Sequence, residues 1–214
     1  MRVIAIVLGL VMPLLACAAE EPEQYQAGVH YTVIQGQPEP PKTGKIEVTE
    51  VFWYGCGHCY AFEPVIEPWK AKLPSDVKFI GNPAVWREPM VAHAKLYYTA
   101  SAMGVLDKLH PVFFETLHKA PSATRALQSP EEISALVSKY GVDGDAFVKT
   151  MDSFAVNSQV QQAIARQKSY GITGTPEMVV GGYYLVSSGK AGGHDGMLKV
   201  VDFLVDKLRQ ERKL

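Results

Sequence analysis

Two cysteines, Cys56 and Cys59, have the spacing that thiol–disulfide exchange requires. The apolar run at residues 51–54 favours a strand, and Gly55 separates that run from Cys56. Apolar residues after Cys59 recur at helical spacing, so the pair lies where a strand leads into a helix. Unpaired backbone N–H groups and the helix dipole favour the thiolate of the first cysteine there. The pattern therefore predicts a redox-active thiol pair.

A Cys-x-x-Cys pair can also be half of a zinc site or a structural disulfide. A structural zinc site usually needs four ligands, and the sequence contains no second Cys pair and no His-x3–5-His motif. A disulfide across two intervening residues gives little stabilisation, because the gain grows with loop length. We therefore expect redox chemistry, with neither a metal nor a cofactor.

Residues 1–19 have the pattern of a secretory signal peptide. Arg2 precedes an apolar run at 3–15 that is too short to span a membrane, and small residues follow it before Glu20. The site of processing is ambiguous. Ordinary cleavage after Ala18 or Ala19 fits the small residues, whereas the segment that ends at Cys17 resembles a lipoprotein box that would attach a lipid to Cys17.

Removal of this leader leaves Cys56 and Cys59 as the only cysteines, in a compartment where disulfides persist. The loss of Arg2 leaves 20 basic and 22 acidic residues, a net charge of −2. This composition provides no basic patch for nucleic acid, and no apolar run remains that could span a membrane.

The order of elements predicts a domain in two halves, at 25–83 and 154–214, with a helical insertion at 84–153. An edge strand within 29–34, a buried strand at 46–54, a helix at 56–72 and a strand at 77–80 form the first half, with a β-α-β crossover. The insertion contains only helical periodicities, with a capping box at Ser129 and a second cap at Asp143. The second half has a helix at 155–170, a hairpin around Gly181-Gly182 and a helix at 195–209.

Two further features of the sequence are candidates for the same functional site as the cysteines. Glu50 is an acid within the mostly apolar run of the buried strand, which makes it a candidate for a functional buried charge. Thr175-Pro176 precedes the hairpin, where a proline can simply open a strand or can shape a binding edge.

Over residues 25–210 the order of elements resembles the DsbA family of bacterial periplasmic dithiol oxidases, within the thioredoxin superfamily. The stretches at 52–64 and 174–180 carry the resemblance, and Cys-Gly-His-Cys is typical of disulfide isomerase domains. The resemblance implies an α/β, thioredoxin-like fold with an inserted all-helical domain.

The same resemblance implies roles for individual residues. Cys56 would be the nucleophile and Cys59 the buried resolving thiol, with Glu50 as the acid near Cys59. Pro176 would be a cis proline that exposes the backbone of Thr175 to an incoming peptide.

Two residues depart from the family pattern. Gly57 stands where the family most often has Pro, and Thr175 stands where it has Val. The intervening His58 can donate a hydrogen bond or place positive charge near Cys56. The reduction potential could then lie nearer the isomerase value, about −180 mV, than the strong-oxidant value, about −120 mV. A basic partner for Glu50 is not evident at 80–82.

We expect an oxidase of newly exported cysteine-containing proteins, re-oxidised by a quinone-linked, DsbB-like membrane partner. A periplasmic reductase or isomerase and a metal-binding or chaperone-like thiol module are the alternatives. We interpret His93, His110 and His118 as helix-surface or satisfied core residues.

Overall fold

The computed structural model describes residues 24–37, 44–119 and 126–213. The leader at 1–19 and Cys17 lie outside the described residues, so both predictions about them remain predictions. The described chain contains five strands and eight helices. They are β1 (Thr32–Val33), β2 (Ile46–Phe52), α1 (Gly57–Lys70), β3 (Val77–Pro83), α2 (Glu88–Ala102), α3 (Leu106–Lys119), α4 (Pro130–Ser138), α5 (Gly144–Met151), α6 (Phe154–Ser169), β4 (Glu177–Val180), β5 (Tyr184–Ser187), α7 (Ser188–Ala191) and α8 (His194–Lys213).

The five strands form one mixed sheet in the order β1-β5-β4-β2-β3. Strands β2 and β3 are parallel and are joined through α1, whereas the other neighbours are antiparallel. Strand β2 pairs with β3 on one edge and with β4 on the other, and all of its residues except Glu47 are buried. The strand that leads to the cysteines is therefore held rigidly on every side.

Four hydrophobic clusters of buried residues are found in the described chain, and three of them surround the sheet and the thiols. One face of the sheet packs against α1 and α8, with Val48, Phe62 and Leu204 among the buried residues. A smaller cluster on the other face includes Val51. A third unites α2 to α5, and Phe52, Tyr54 and Cys59 from the site strand and α1 belong to it. The residues around the thiols thus bridge the sheet and the helices.

Local sequence signals account for the helix boundaries. The side chains of Ser129, Asp143 and Ser153 accept hydrogen bonds from the backbone N–H groups of residues 132, 146 and 156, which caps α4, α5 and α6. Gly104, which separates α2 from α3, has a positive φ of 68°. The short helix α7 was not predicted, and three residues rather than two join β4 to β5.

Helices α2 to α5 occupy the stretch predicted as an insertion, and the division into domains stays a prediction. Helix α1 contains Pro64 and Pro68, and the kink expected from them likewise stays a prediction. Within the described residues, no helix combines the length and the apolar character needed to cross a membrane.

Candidate active site

A tight turn after β2 delivers Cys56 to the start of α1. The Cys56 N–H donates to the Trp53 carbonyl oxygen at 2.9 Å, and Cys56 is the N-cap residue of the helix. A Cβ atom at Gly55 would overlap the Trp53 indole, so a larger residue in this turn would force that side chain to move. The backbone N–H groups of His58 and Cys59, in the first helical turn, hydrogen-bond to the Cys56 sulfur and favour its thiolate.

The Cys56 side chain is half-buried and has an acidic pKa. Both active-site cysteines are free thiols. The pKa of Cys56 is lowered from an ordinary 9.0 to about 5, chiefly by a hydrogen bond from the Cys59 thiol, against the opposing effect of burial. The Thr175 side chain and the backbone N–H groups of Cys59 and His58 lower it further. These donors stabilise the thiolate at neutral pH.

Cys59 has the opposite environment. Its side chain is 0% exposed. Burial raises its pKa, and the adjacent Cys56 and the Glu50 carboxylate raise it further. The two thiols therefore differ in both exposure and acidity, which gives them different chemical roles.

The Thr175–Pro176 peptide bond is cis, and its loop lies against the first cysteine. The Cys56 sulfur lies 3.3 Å from the Thr175 carbonyl oxygen. As a thiol, Cys56 donates to that carbonyl, whereas its thiolate accepts from the Thr175 side chain. The loop and the cysteine pair thus form one surface.

Glu177 braces this loop, a function that the sequence analysis missed. Its carboxylate accepts from the Thr173 N–H at 3.2 Å, and it is only 7% exposed. Burial raises its pKa, while the backbone N–H groups of Thr173 and Gly174 act in the opposite direction. The only sequence signal was an acid directly after a proline at the start of a strand.

Gly57 and His58, the two residues between the cysteines, are exposed. Gly57 is the first residue of α1, and a Cβ atom there would meet open space, so a side chain is sterically possible. The His58 effect that the structure shows comes from its backbone N–H. The role of its imidazole stays a prediction.

Glu50 lies behind the cysteines and is 2% exposed. Burial is the main reason that its pKa rises from 4.5 to about 8, and the negative charge of Glu63 adds to this effect. Lys70 of α1 opposes the rise. Glu50 pairs with Gly81 of β3, where a Cβ atom would overlap Tyr97. The basic neighbour therefore comes from α1 and not from β3.

Two histidines of α3 fasten the turn before Cys56, which the sequence analysis also missed. The Tyr54 hydroxyl and His110 Nδ1 are 2.7 Å apart. His118 Nε2 donates to the Tyr54 carbonyl oxygen at 2.8 Å, and its ring stacks on Tyr60. His110 and His118 are eight residues apart and so share one helix face, a signal that was available in the sequence.

A thiolate at a helix N-terminus, a buried partner thiol and an adjacent cis-proline loop define a thiol–disulfide exchange protein with a thioredoxin-like site. Comparison with known proteins specifies the class further. Residues 47–204 match the family described as DSBA-like thioredoxin domain.

Two of the relatives with the name thiol:disulfide interchange protein DsbA come from Pseudomonas species. The one from Pseudomonas aeruginosa is 39% identical over 213 residues, which cover 100% of both chains. The one from Pseudomonas syringae pv. tomato is 42% identical over 200 residues, 94% of this chain and 92% of the relative.

Solved structures agree with this result. The crystal structure of Pseudomonas aeruginosa DsbA has a TM-score of 0.82 and 41% identity, and the match covers 89% of this chain and 97% of that one. The oxidoreductase DsbA from Xylella fastidiosa has a TM-score of 0.78 and 33% identity, with 87% and 98% covered. The chain belongs to the DsbA family and has its α/β, thioredoxin-like fold. It is a thiol:disulfide interchange oxidoreductase, as the sequence predicted.

Proposed function

We propose that this protein oxidises thiol pairs in newly exported proteins, with Cys56 as the exchanging residue. The observation that carries the proposal is the asymmetry of the two thiols: the pKa of Cys56 is lowered to about 5, whereas that of Cys59 is raised. An acidic thiol is a good leaving group, so a mixed disulfide between Cys56 and a substrate is readily resolved with release of Cys56. The same acidity stabilises the reduced enzyme, in which Cys56 is a thiolate.

The reaction has two exchange steps. A substrate thiolate attacks the Cys56 sulfur of the Cys56–Cys59 disulfide, which forms a mixed disulfide and releases Cys59 as a thiolate that takes up a proton. A second substrate thiolate then attacks the substrate sulfur of the mixed disulfide, and Cys56 leaves as a thiolate. The substrate loses two electrons and the enzyme gains them.

The surrounding residues have supporting roles in this proposal. The raised pKa of Glu50, about 8, makes its carboxyl a proton reservoir near the buried Cys59. The Thr175 backbone and Pro176 form the edge against which a substrate peptide docks beside Cys56. Glu177 holds that edge in place.

Catalytic turnover requires an acceptor for the two electrons. The family resemblance points to a quinone-linked membrane oxidase as that acceptor and to the periplasm as the compartment. The proposed leader at 1–19 provides the export signal, and Cys17 is the one residue that could attach a lipid anchor.

A reductase or isomerase role is the second candidate, because Gly57 and Thr175 are isomerase-type residues at the site. The redox state of the protein in the cells that produce it separates the two roles. Acid quenching followed by labelling with a large maleimide should show Cys56 and Cys59 predominantly unlabelled, as a disulfide. Fully reduced protein, labelled in the same way, is the mobility standard on the gel. A predominantly labelled, reduced protein would overturn the oxidase proposal.

A further inference from the structure

Three side chains in the groove between α1 and α3 bring metal-ligating atoms together. Glu63 and Glu67 lie one helical turn apart on α1, and His110 belongs to α3. One ligand atom from each residue lies within 4.8 Å of the other two. His110 Nε2 faces Glu63 Oε2 at 3.5 Å.

A buried carboxyl group lines the same groove and supplies an independent observation. Glu50 is 2% exposed, and its Oε1 has no hydrogen-bond partner among the described residues. The groove that it lines has a volume of about 760 Å³ and includes Glu63, Glu67 and His110. A buried polar atom without a partner is costly, and because Glu50 lines the groove, this atom favours a ligand there.

The protein's own cations neutralise the groove only in part. Lys70 Nζ bonds Glu67 Oε1 at 2.5 Å, which leaves the carboxyls of Glu50 and Glu63 without an ammonium partner of their own in the described chain. Lys78 and Arg166 also line the groove, but each bonds a different side chain. The described part of the groove therefore presents more carboxyl groups than free cations.

We propose that Glu63, Glu67 and His110 form a binding site for a divalent transition-metal ion of the Zn²⁺ type, with the Glu50 carboxyl on its buried side. Two carboxylates and one imidazole favour such an ion over Ca²⁺ or Mg²⁺, which prefer oxygen ligands alone. This donor set lacks cysteine, which is why the spacing of the cysteines gave no sign of it.

The geometry requires little rearrangement. Zn²⁺ bonds to nitrogen and oxygen are about 2.0–2.2 Å long, so the ligand atoms must approach one another by about 1 Å. Glu67 is half-exposed and can rotate once it releases Lys70. Tyr54, whose hydroxyl lies 2.7 Å from His110 Nδ1, fixes the ring so that Nε2 faces the groove.

The test is metal binding in the absence of competing thiols. The parent protein is the mature chain with Cys56→Ser and Cys59→Ser, titrated with Zn²⁺ by calorimetry and with Co²⁺ by visible absorption. We expect one equivalent of each ion, and Co²⁺ bands without thiolate charge transfer. Failure of the parent to bind Zn²⁺ would overturn the site, as would equal competition by Ca²⁺, the signature of a merely acidic surface.

Single substitutions at exposed or partly exposed positions test the ligand set without loss of the fold. Glu67→Gln should weaken Zn²⁺ binding about tenfold or more, as loss of a ligand should. The matched control Glu115→Gln removes an acid from the exposed face of α3 and should leave affinity unchanged. Lys70→Met should tighten binding, because it removes the competing ammonium. Equal losses of Zn²⁺ affinity in Glu67→Gln and Glu115→Gln would contradict the proposed ligand set. Weaker Zn²⁺ binding in Lys70→Met would contradict it as well. These outcomes leave the oxidase proposal untouched, since they do not involve the thiols.

Discussion

The stability of the reduced protein relative to the oxidised protein should rise steeply with pH. Only the reduced form has a Cys56 thiol that titrates. Its folded pKa of about 5 lies below the ordinary 9.0, so between these values the unfolded chain binds one more proton than the folded chain. The free energy of unfolding of the reduced form then increases with pH by up to about 1.36 kcal/mol per unit.

The size of the effect follows from the distance between the pH and the folded pKa. At pH 7, two units above about 5, the thiolate contributes about 2.7 kcal/mol relative to acid solution. Cys56 is half-buried, and solvent screens part of this contribution, so we expect about 2 kcal/mol. Above the ordinary thiol value the trend reverses, because Cys59 keeps its proton in the folded state and loses it in the unfolded state.

Urea unfolding of both redox forms between pH 4 and pH 9 measures this quantity. Glu50 titrates in both forms, so the difference between them largely cancels its effect. The free energy of unfolding of the reduced form should increase relative to that of the oxidised form from pH 5 to pH 9. At pH 7 the reduced form should be the more stable one. A difference that does not change over this range, or that falls with pH, would refute the assignment of a stabilised thiolate to Cys56.

Three substitutions test the neighbouring groups. Glu50→Gln should stabilise the protein by about 3 kcal/mol at pH 7, because the raised carboxyl pKa disfavours the folded state there. The gain should vanish at pH 4, where the carboxyl is protonated in both the folded and the unfolded state. Equal effects of the substitution at the two pH values in urea unfolding would refute this reasoning. Cys59→Ser should accumulate mixed disulfides through Cys56, visible on non-reducing gels, and their absence would reverse the two thiol roles. Pro176→Ala should prolong such complexes in quenched reactions without loss of the fold, whereas unchanged kinetics would mean that the proline only opens a strand.

The local parts of the site could be predicted from the sequence because neighbouring residues build them. A few neighbouring residues are enough to indicate the turn at Gly55, the helix that starts after Cys56 and the proline at 176. The cis state of the Thr175–Pro176 bond was implied by the family resemblance, and the structure has it.

The remaining parts depend on contacts between distant segments. The bond between Tyr54 and His110 joins positions 56 residues apart, and the histidine alone is indistinguishable from a core residue. Lys70, the cation that lowers the pKa of Glu50, belongs to α1, so the search for a basic partner on β3 could not find it. Periodicity indicates which face of an element is buried but does not identify the element that it meets.

The reduction potential, measured at equilibrium with glutathione, tests most directly the central claim that the acidic Cys56 thiol makes the cysteine pair more oxidising than a reductase. A thiol pKa of about 7 accompanies a potential of about −270 mV in thioredoxin, and one of about 3.5 accompanies about −120 mV in the strongest oxidant of the superfamily. A Cys56 pKa of about 5 places this protein between them. We predict a potential of about −180 mV. A value near −270 mV, as in a reductase, would contradict the account.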